Sequence, residues 1–322
     1  MEEKYIATIS TVKEVLNKFG VAIIPNILSN EECDKLYNEM WDYFEHITSK
    51  FETPLKRDDE KTWVEFFKLY PMHGMLIQHY QVGHAQFAWN VRQNLKIVEV
   101  FAKIWRVKPE ELLVSFDGSS FHLPHEVTKR GYYRGNDWFH TDQNFVNLDQ
   151  CVQSWVTAKE VREGDATLTF LEGSHKYHAE IGKVFAKDIK KPKDDWYKIN
   201  DEQKEYLLNK GCTVQSIKCP AGSLVLWNSK TFHAGKEPLK DRKMRNFRCV
   251  VYLCYTPRSL IKPANLKKKQ KAFKELRSTT HWPHKVKLFP VNPWTHGQSL
   301  PPILPISPPV LSPLGMTLAG FL

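Results

Sequence analysis

Three residues in this 322-residue chain have the types and spacing of a metal-ligand set. His140 and Asp142 stand in NDWFHTDQNF, and His233 stands in SLVLWNSKTFHAG. Side chains alternate in direction along an extended strand, so His-x-Asp puts two ligands on one side of it. A later histidine, His233, can close the third corner. Two imidazoles and one carboxylate on one face leave open positions on an octahedral metal, an arrangement that suits non-haem Fe(II) chemistry. The chain has 13 histidines, so most must do something plainer. His46, His73, His79, His84, His178, His281, His284 and His296 read as surface or hydrogen-bonding residues. His175 reads as part of a turn. His122 and His125, which precede the motif, are candidates for the mouth of the site.

The elements around these residues read as short strands. CVQSWVTAKEV and ATLTFLEGSH are rich in Val, Thr, Trp and Phe and are broken by REGD and GS turns. GSLVLWN leads into His233, and NFRCVVYLCYTP is a strand stopped by a proline. Arg248 opens that last strand, where a guanidinium can grip a carboxylate through two parallel hydrogen bonds. Many short strands separated by polar turns predict a sandwich or jelly roll. Upstream, Ser29 to Glu32 form a capping box. The helix that follows should bury Cys33, Leu36, Met40, Phe44 and Ile47 at spacings of three and four. Residues 84–105 read as one further amphipathic helix, with Leu95 on its apolar face. Residues 176–210 read as a charged helical excursion.

The pieces WFHTDQ, SWVTAKEV with GDATLTFLEGSHK, GSLVLWNSKTFHAG and FRCVVYLCYTPR resemble the phytanoyl-CoA dioxygenase family of Fe(II)/2-oxoglutarate oxygenases. KFGVAIIPNILSNEECDKLYNEM resembles that family's opening strand and helix, so the likeness covers about the first 260 residues. It implies a mainly β protein with flanking helices, built on a double-stranded β-helix (jelly roll, cupin-like). It implies Fe(II) held by His140, Asp142 and His233, with 2-oxoglutarate and O2 as cosubstrates. It also implies an arginine for the far carboxylate of 2-oxoglutarate. The family spacing from the distal histidine is not matched by Arg242, Arg245 or Arg248. Arg248 aligns best by its strand, and Arg245 is the reserve. Trp155 matches a tryptophan that the family keeps near the cosubstrate, and it reads equally well as core.

Composition bounds the rest. A hydrophobic content of 42% is ordinary for a globular chain. No run of 18 apolar residues exists, and the acidic start MEEKYIATIS does not read as a secretory signal. The six scattered cysteines lack a C-x-x-C and read as reduced thiols in a cytoplasmic protein. A net charge of +10 favours anionic partners without naming one. The predicted organisation is a dioxygenase domain over residues 1–262, a basic helical extension over 263–289 and a Pro-rich tail over 290–322. The tail should be extended and contribute little core of its own. The expected function is hydroxylation of a small molecule, an anionic one being favoured by charge. Two alternatives are a nucleic-acid-modifying oxygenase and a non-catalytic metal-binding jelly roll. Nucleic acid is not an expected partner, because no aromatic residues alternate with the clustered lysines. Oligomeric state is left open.

Overall fold

Gly20 ends helix α1 (Val12–Phe19) with a φ of +83°, which lets the chain turn straight into β1 (Val21–Ile24). The computed structural model describes residues 2–72, 76–146 and 151–321. Helix α2 (Asn30–Ile47) starts at the predicted capping box. The Ser29 hydroxyl accepts from the Glu32 amide, and the Glu32 carboxylate accepts from the Ser29 amide. Such caps are worth about 1 kcal/mol each. Its five expected inward residues are all buried. After β2 (Leu76–Ile77), the single helix expected over 84–105 is two helices, α3 (Gln86–Arg92) and α4 (Leu95–Trp105). Asn94 makes the break: its side chain accepts from the Lys96 amide and caps α4. Leu95, expected on the apolar face, is 51% exposed in that first turn.

Strands β3 (Leu112–Val114) and β4 (Ser119–His122) precede a single helical turn, α5 (His125–Thr128). Then come β5 (His140–Thr141), β6 (Val152–Thr157) and β7 (Thr167–Glu172). The charged excursion contains α6 (His178–Val184), β8 (Tyr197–Lys198) and α7 (Asp201–Asn209). The chain continues through β9 (Thr213–Ser216), β10 (Leu224–Asn228), β11 (His233–Lys236) and β12 (Arg248–Pro257). Helices α8 (Pro263–Lys274) and α9 (Pro313–Ala319) close it.

The strands form two antiparallel sheets, as a jelly roll requires. One runs β1-β10-β6-β12-β4-β2, with β3 also on β12, and the other runs β8-β5-β11-β7-β9. Alternation along β10 divides the core. Val225 and Trp227 join Trp155, Leu168, Phe170 and Val250 in a cluster drawn from both sheets. Leu224 and Leu226 join residues of α2, α3 and α4 in a larger cluster behind the first sheet. The same alternation sends Cys249 into that outer cluster, while Cys254 meets Cys151. All six cysteines are free and buried.

The C-terminal run corrects an expectation. It is extended as predicted, but it is fastened to the domain. The amides of Ile306, Val310 and Ser312 donate to the side-chain oxygens of Gln81, Gln86 and Gln93. Helix α9 then buries Leu318 and Ala319 in the same cluster as Leu112 and Val114. Helix α8 is likewise more than a solvated surface element: Lys269 is fully buried, donates to the Val114 carbonyl and lies 4.0 Å over the Phe116 ring. Among the described residues, no helix is long and apolar enough to cross a membrane.

Candidate metal centre and cosubstrate pocket

Strands β5 and β11 are antiparallel neighbours, and His140 stands opposite His233 in their register. Asp142 follows β5 on the same side, its amide donating to the Ser229 carbonyl at 3.2 Å. The result is a tight triad. His140 Nε2 lies 3.7 Å from Asp142 Oδ2, His233 Nε2 lies 3.3 Å from it, and the ligand atoms all fall within 4.8 Å of one another. The second nitrogen of each ring is tied to the backbone. His233 Nδ1–H donates to the Thr231 carbonyl at 2.8 Å, and His140 Nδ1 faces the Trp138 carbonyl at 3.4 Å. Carbonyls only accept, so the proton sits on Nδ1 and the Nε2 lone pair points at the triad. Gln153 Nε2 donates to Asp142 Oδ2 at 3.0 Å and fixes the carboxylate.

The electrostatics agree with that arrangement. Burial and the neighbouring His233 ring push the His140 pKa down, so it stands as a neutral donor. Burial alone would raise the Asp142 carboxyl, but the His140 and His233 rings beside it hold it well below the usual carboxylate range. Two imidazoles and a carboxylate form a donor set that fits Fe(II).

The triad opens into a cavity of about 760 Å³ that Gln153, Leu168, Trp227, Tyr252 and Arg248 also line. Arg248 is 8% exposed, at the start of β12. Its guanidinium carbon lies 4.9 Å over the Trp155 ring, and one of its N–H groups reaches the Ala166 carbonyl at 3.3 Å. Among the described residues, no carboxylate pairs with it. Trp155 is fully buried in the inter-sheet cluster, with the guanidinium over its ring.

The reserve arginine goes elsewhere, which corrects its candidacy. Arg245 is on the surface, paired with Glu60 at 2.9 Å, because it belongs to the hairpin before β12 and not to the strand. Arg242 is buried but engaged by Glu126 and Asp165. His122 and His125 do not line this cavity either; they are buried beside Glu237. Sequence reasoning passed over Gln153 and the aromatic wall. Trp138 stacks on His140 with ring centroids 4.7 Å apart, and Trp196 and Trp282 line the outer cavity. Period-2 alternation offered a signal for two of them. Gln153 shares a strand face with Trp155, and Trp138 precedes His140 by two.

The chain and its fold have counterparts among known proteins. The chain is 25% identical over 279 residues to "Ava biosynthesis cluster protein O" of Aspergillus versicolor, covering 85% of this chain and 86% of that one. It is 29% identical over 140 residues to a Dictyostelium discoideum protein named as a phytanoyl-CoA dioxygenase, covering 42% of this chain and 37% of that one. Its fold is similar to that of a Salmonella typhimurium LT2 protein described as an oxidoreductase. That likeness has a TM-score of 0.59 at 13% identity, over 98% of this chain and 86% of that one. Residues 16–244 match the phytanoyl-CoA dioxygenase (PhyH) family, a span that takes in the triad and stops just short of Arg248. The chain therefore belongs to the phytanoyl-CoA dioxygenase family and is a non-haem iron, 2-oxoglutarate-dependent oxygenase.

Proposed function

We propose that the protein is a cytoplasmic hydroxylase of a small, ring-containing organic molecule, with His140, Asp142 and His233 holding Fe(II) and Arg248 holding 2-oxoglutarate. The observation that carries the reading is the sharing of one cavity by the triad and a buried guanidinium that has no acidic partner among the described residues. Held by these residues, iron would supply the centre for oxidative decarboxylation of 2-oxoglutarate by O2, with one oxygen atom going to succinate beside released CO2 and the other to the substrate. The protein's own part is binding, orientation and exclusion of water. Arg248 presents two parallel N–H groups to the far carboxylate, and Trp155 keeps the guanidinium plane in place. The Trp138 ring covers His140 and, through its own N–H to the Gly235 carbonyl at 3.0 Å, fixes that face of the site.

Trp138, Trp196 and Trp282 make the outer cavity an aromatic surface suited to a flat or fused-ring substrate. Lys236 and Lys287 line it too, with Asp194 and Asp195, so the charge there is mixed and anionic groups are one option among several. The Aspergillus relative's name, which places it in a biosynthesis cluster, supports a small metabolite over nucleic acid. The test is turnover of an aromatic metabolite library with Fe(II), O2 and 2-oxoglutarate. A substrate should stimulate succinate formation, gain one oxygen by mass, and do neither with Asp142→Ala. A product that loses hydrogen or isomerises without gaining oxygen would refute hydroxylation, and activity on a nucleobase would refute the substrate class.

A further inference from the structure

A second set of two histidines and one carboxylate lies beside the strand that carries Arg248. His122 is the last residue of β4 and pairs with Arg248 of β12 in register. His125 opens α5, and Glu237 directly follows β11. His125 Nε2 lies 3.6 Å from Glu237 Oε2 and His122 Nδ1 lies 3.8 Å from it; the three ligand atoms fall within 4.8 Å of one another. These separations match those of the His140–Asp142–His233 triad, at 3.7 and 3.3 Å. The two rings are parallel, with centroids 5.5 Å apart. A small space of about 10 Å³ adjoins the two rings, bounded also by Arg248. That is room for about one water-sized centre.

The protonation pattern points the same way. His125 is 1% exposed, and its Nδ1 meets the Gly131 carbonyl. A carbonyl only accepts, so Nδ1 carries the proton and Nε2 presents a lone pair. That lone pair has no hydrogen-bond partner, and neither does the buried Glu237 Oε2 it faces. Their separation exceeds the length of an N–H···O bond. Two lone pairs confronting each other in a buried space are unfavourable until a cation stands between them. The nearby arginines do not fill that role. Arg242 is engaged by Glu126 and Asp165, and Arg130 approaches the other oxygen of Glu237 at 3.6 Å.

We propose that His122, His125 and Glu237 form a second divalent-cation site, distinct from the iron centre and suited to Zn²⁺. Two imidazole nitrogens and a carboxylate oxygen, with water completing a tetrahedron, form a set that zinc accepts. The Nδ1–H of His125 bonded to a backbone carbonyl is the support that a ligating histidine ordinarily has. The ion ties the β4–α5 junction to the start of the β11–β12 hairpin, and so braces the frame on which Arg248 is mounted. The inference does not depend on the iron assignment.

The experiment is titration of the full-length, metal-stripped chain with Zn²⁺ alone, counting bound metal after dialysis. The wild type should hold two equivalents. Asp142→Ala and Glu237→Gln should hold one each, and the double variant none. His125→Gln, as a second probe, should lose the same equivalent as Glu237→Gln. Zn²⁺ should raise the melting temperature of Asp142→Ala and leave that of the double variant unchanged. Asp142→Ala binding no zinc would overturn the second site while sparing the first. The double variant keeping as much zinc as Asp142→Ala would overturn it as well. If Asp142→Ala kept both equivalents and the double variant kept one, the second site would stand and the iron assignment would fall.

Discussion

Arg248 is a buried cation resting on Trp155 with no acidic partner among the described residues, and such a charge costs free energy unless a ligand neutralises it. A bound dicarboxylate does so with two parallel hydrogen bonds, a geometry that a lysine cannot copy. Arg248→Lys should therefore weaken 2-oxoglutarate binding by about 2–5 kcal/mol, read by calorimetry. Arg245→Lys should change it little, since Arg245 is a surface residue paired with Glu60, and such pairs are worth about 0–1 kcal/mol. His140 and Asp142 were legible in the sequence because strand periodicity puts them on one side, and His233 because its surroundings resemble the family's distal motif; its pairing with His140 is a matter of tertiary packing. The choice among Arg242, Arg245 and Arg248 was not, because all three lie within seven residues of a hairpin whose path only tertiary packing decides. A second residue-scale prediction concerns His84, fully buried, with its Nε2–H donating to the Arg277 carbonyl at 3.0 Å. Burial lowers its pKa from 6.5 to about 3. The unfolded chain therefore takes up a proton below about pH 6.5 that the folded chain refuses until about pH 3. The stability linked to this group is complete above the upper value and is lost as pH falls through the window. Urea midpoints at pH 7 and pH 5 should show the wild type losing stability. His84→Gln, which keeps a donor for the carbonyl, should lose up to about 1.4 kcal/mol less per pH unit.

The break between α3 and α4 shows how one side chain redirects an element. An apolar periodicity running through residues 84–105 suggested one helix, and the capping chemistry of Asn94 divided it. The C-terminal run shows the converse. Its prolines correctly indicated an extended path, but composition could not tell whether that path was fastened. The fastenings are glutamine side chains more than two hundred residues away in sequence. A local signal for α9 was nonetheless present. Ser312 caps it and Pro313 occupies its first turn. Because Leu318 is fully buried among residues of the main core, Leu318→Ala should lower unfolding free energy by about 2–5 kcal/mol in urea titration. A change within a few tenths of a kcal/mol would mean that α9 does not belong to the cooperative unit.

Across the whole molecule, the smaller of two antiparallel sheets brings β5 and β11 side by side, and helices pack behind the larger one. The fold class could be read from many short strands and polar turns. The strand order could not, because partners such as Val21 and Trp227 are brought together by global packing and not by any local pattern. The net charge of +10 told least, since the cavity it was thought to serve carries both signs.

On the proposed function, one cavity couples a His140–Asp142–His233 metal centre to an Arg248 anchor for 2-oxoglutarate. Anaerobic calorimetry of 2-oxoglutarate into the full-length chain, with and without Fe(II), tests it most directly. One 2-oxoglutarate per chain should bind tightly, require Fe(II), be lost with Asp142→Ala and weaken with Arg248→Lys. Binding that is indifferent to Fe(II), or that survives Asp142→Ala at wild-type strength, would contradict it.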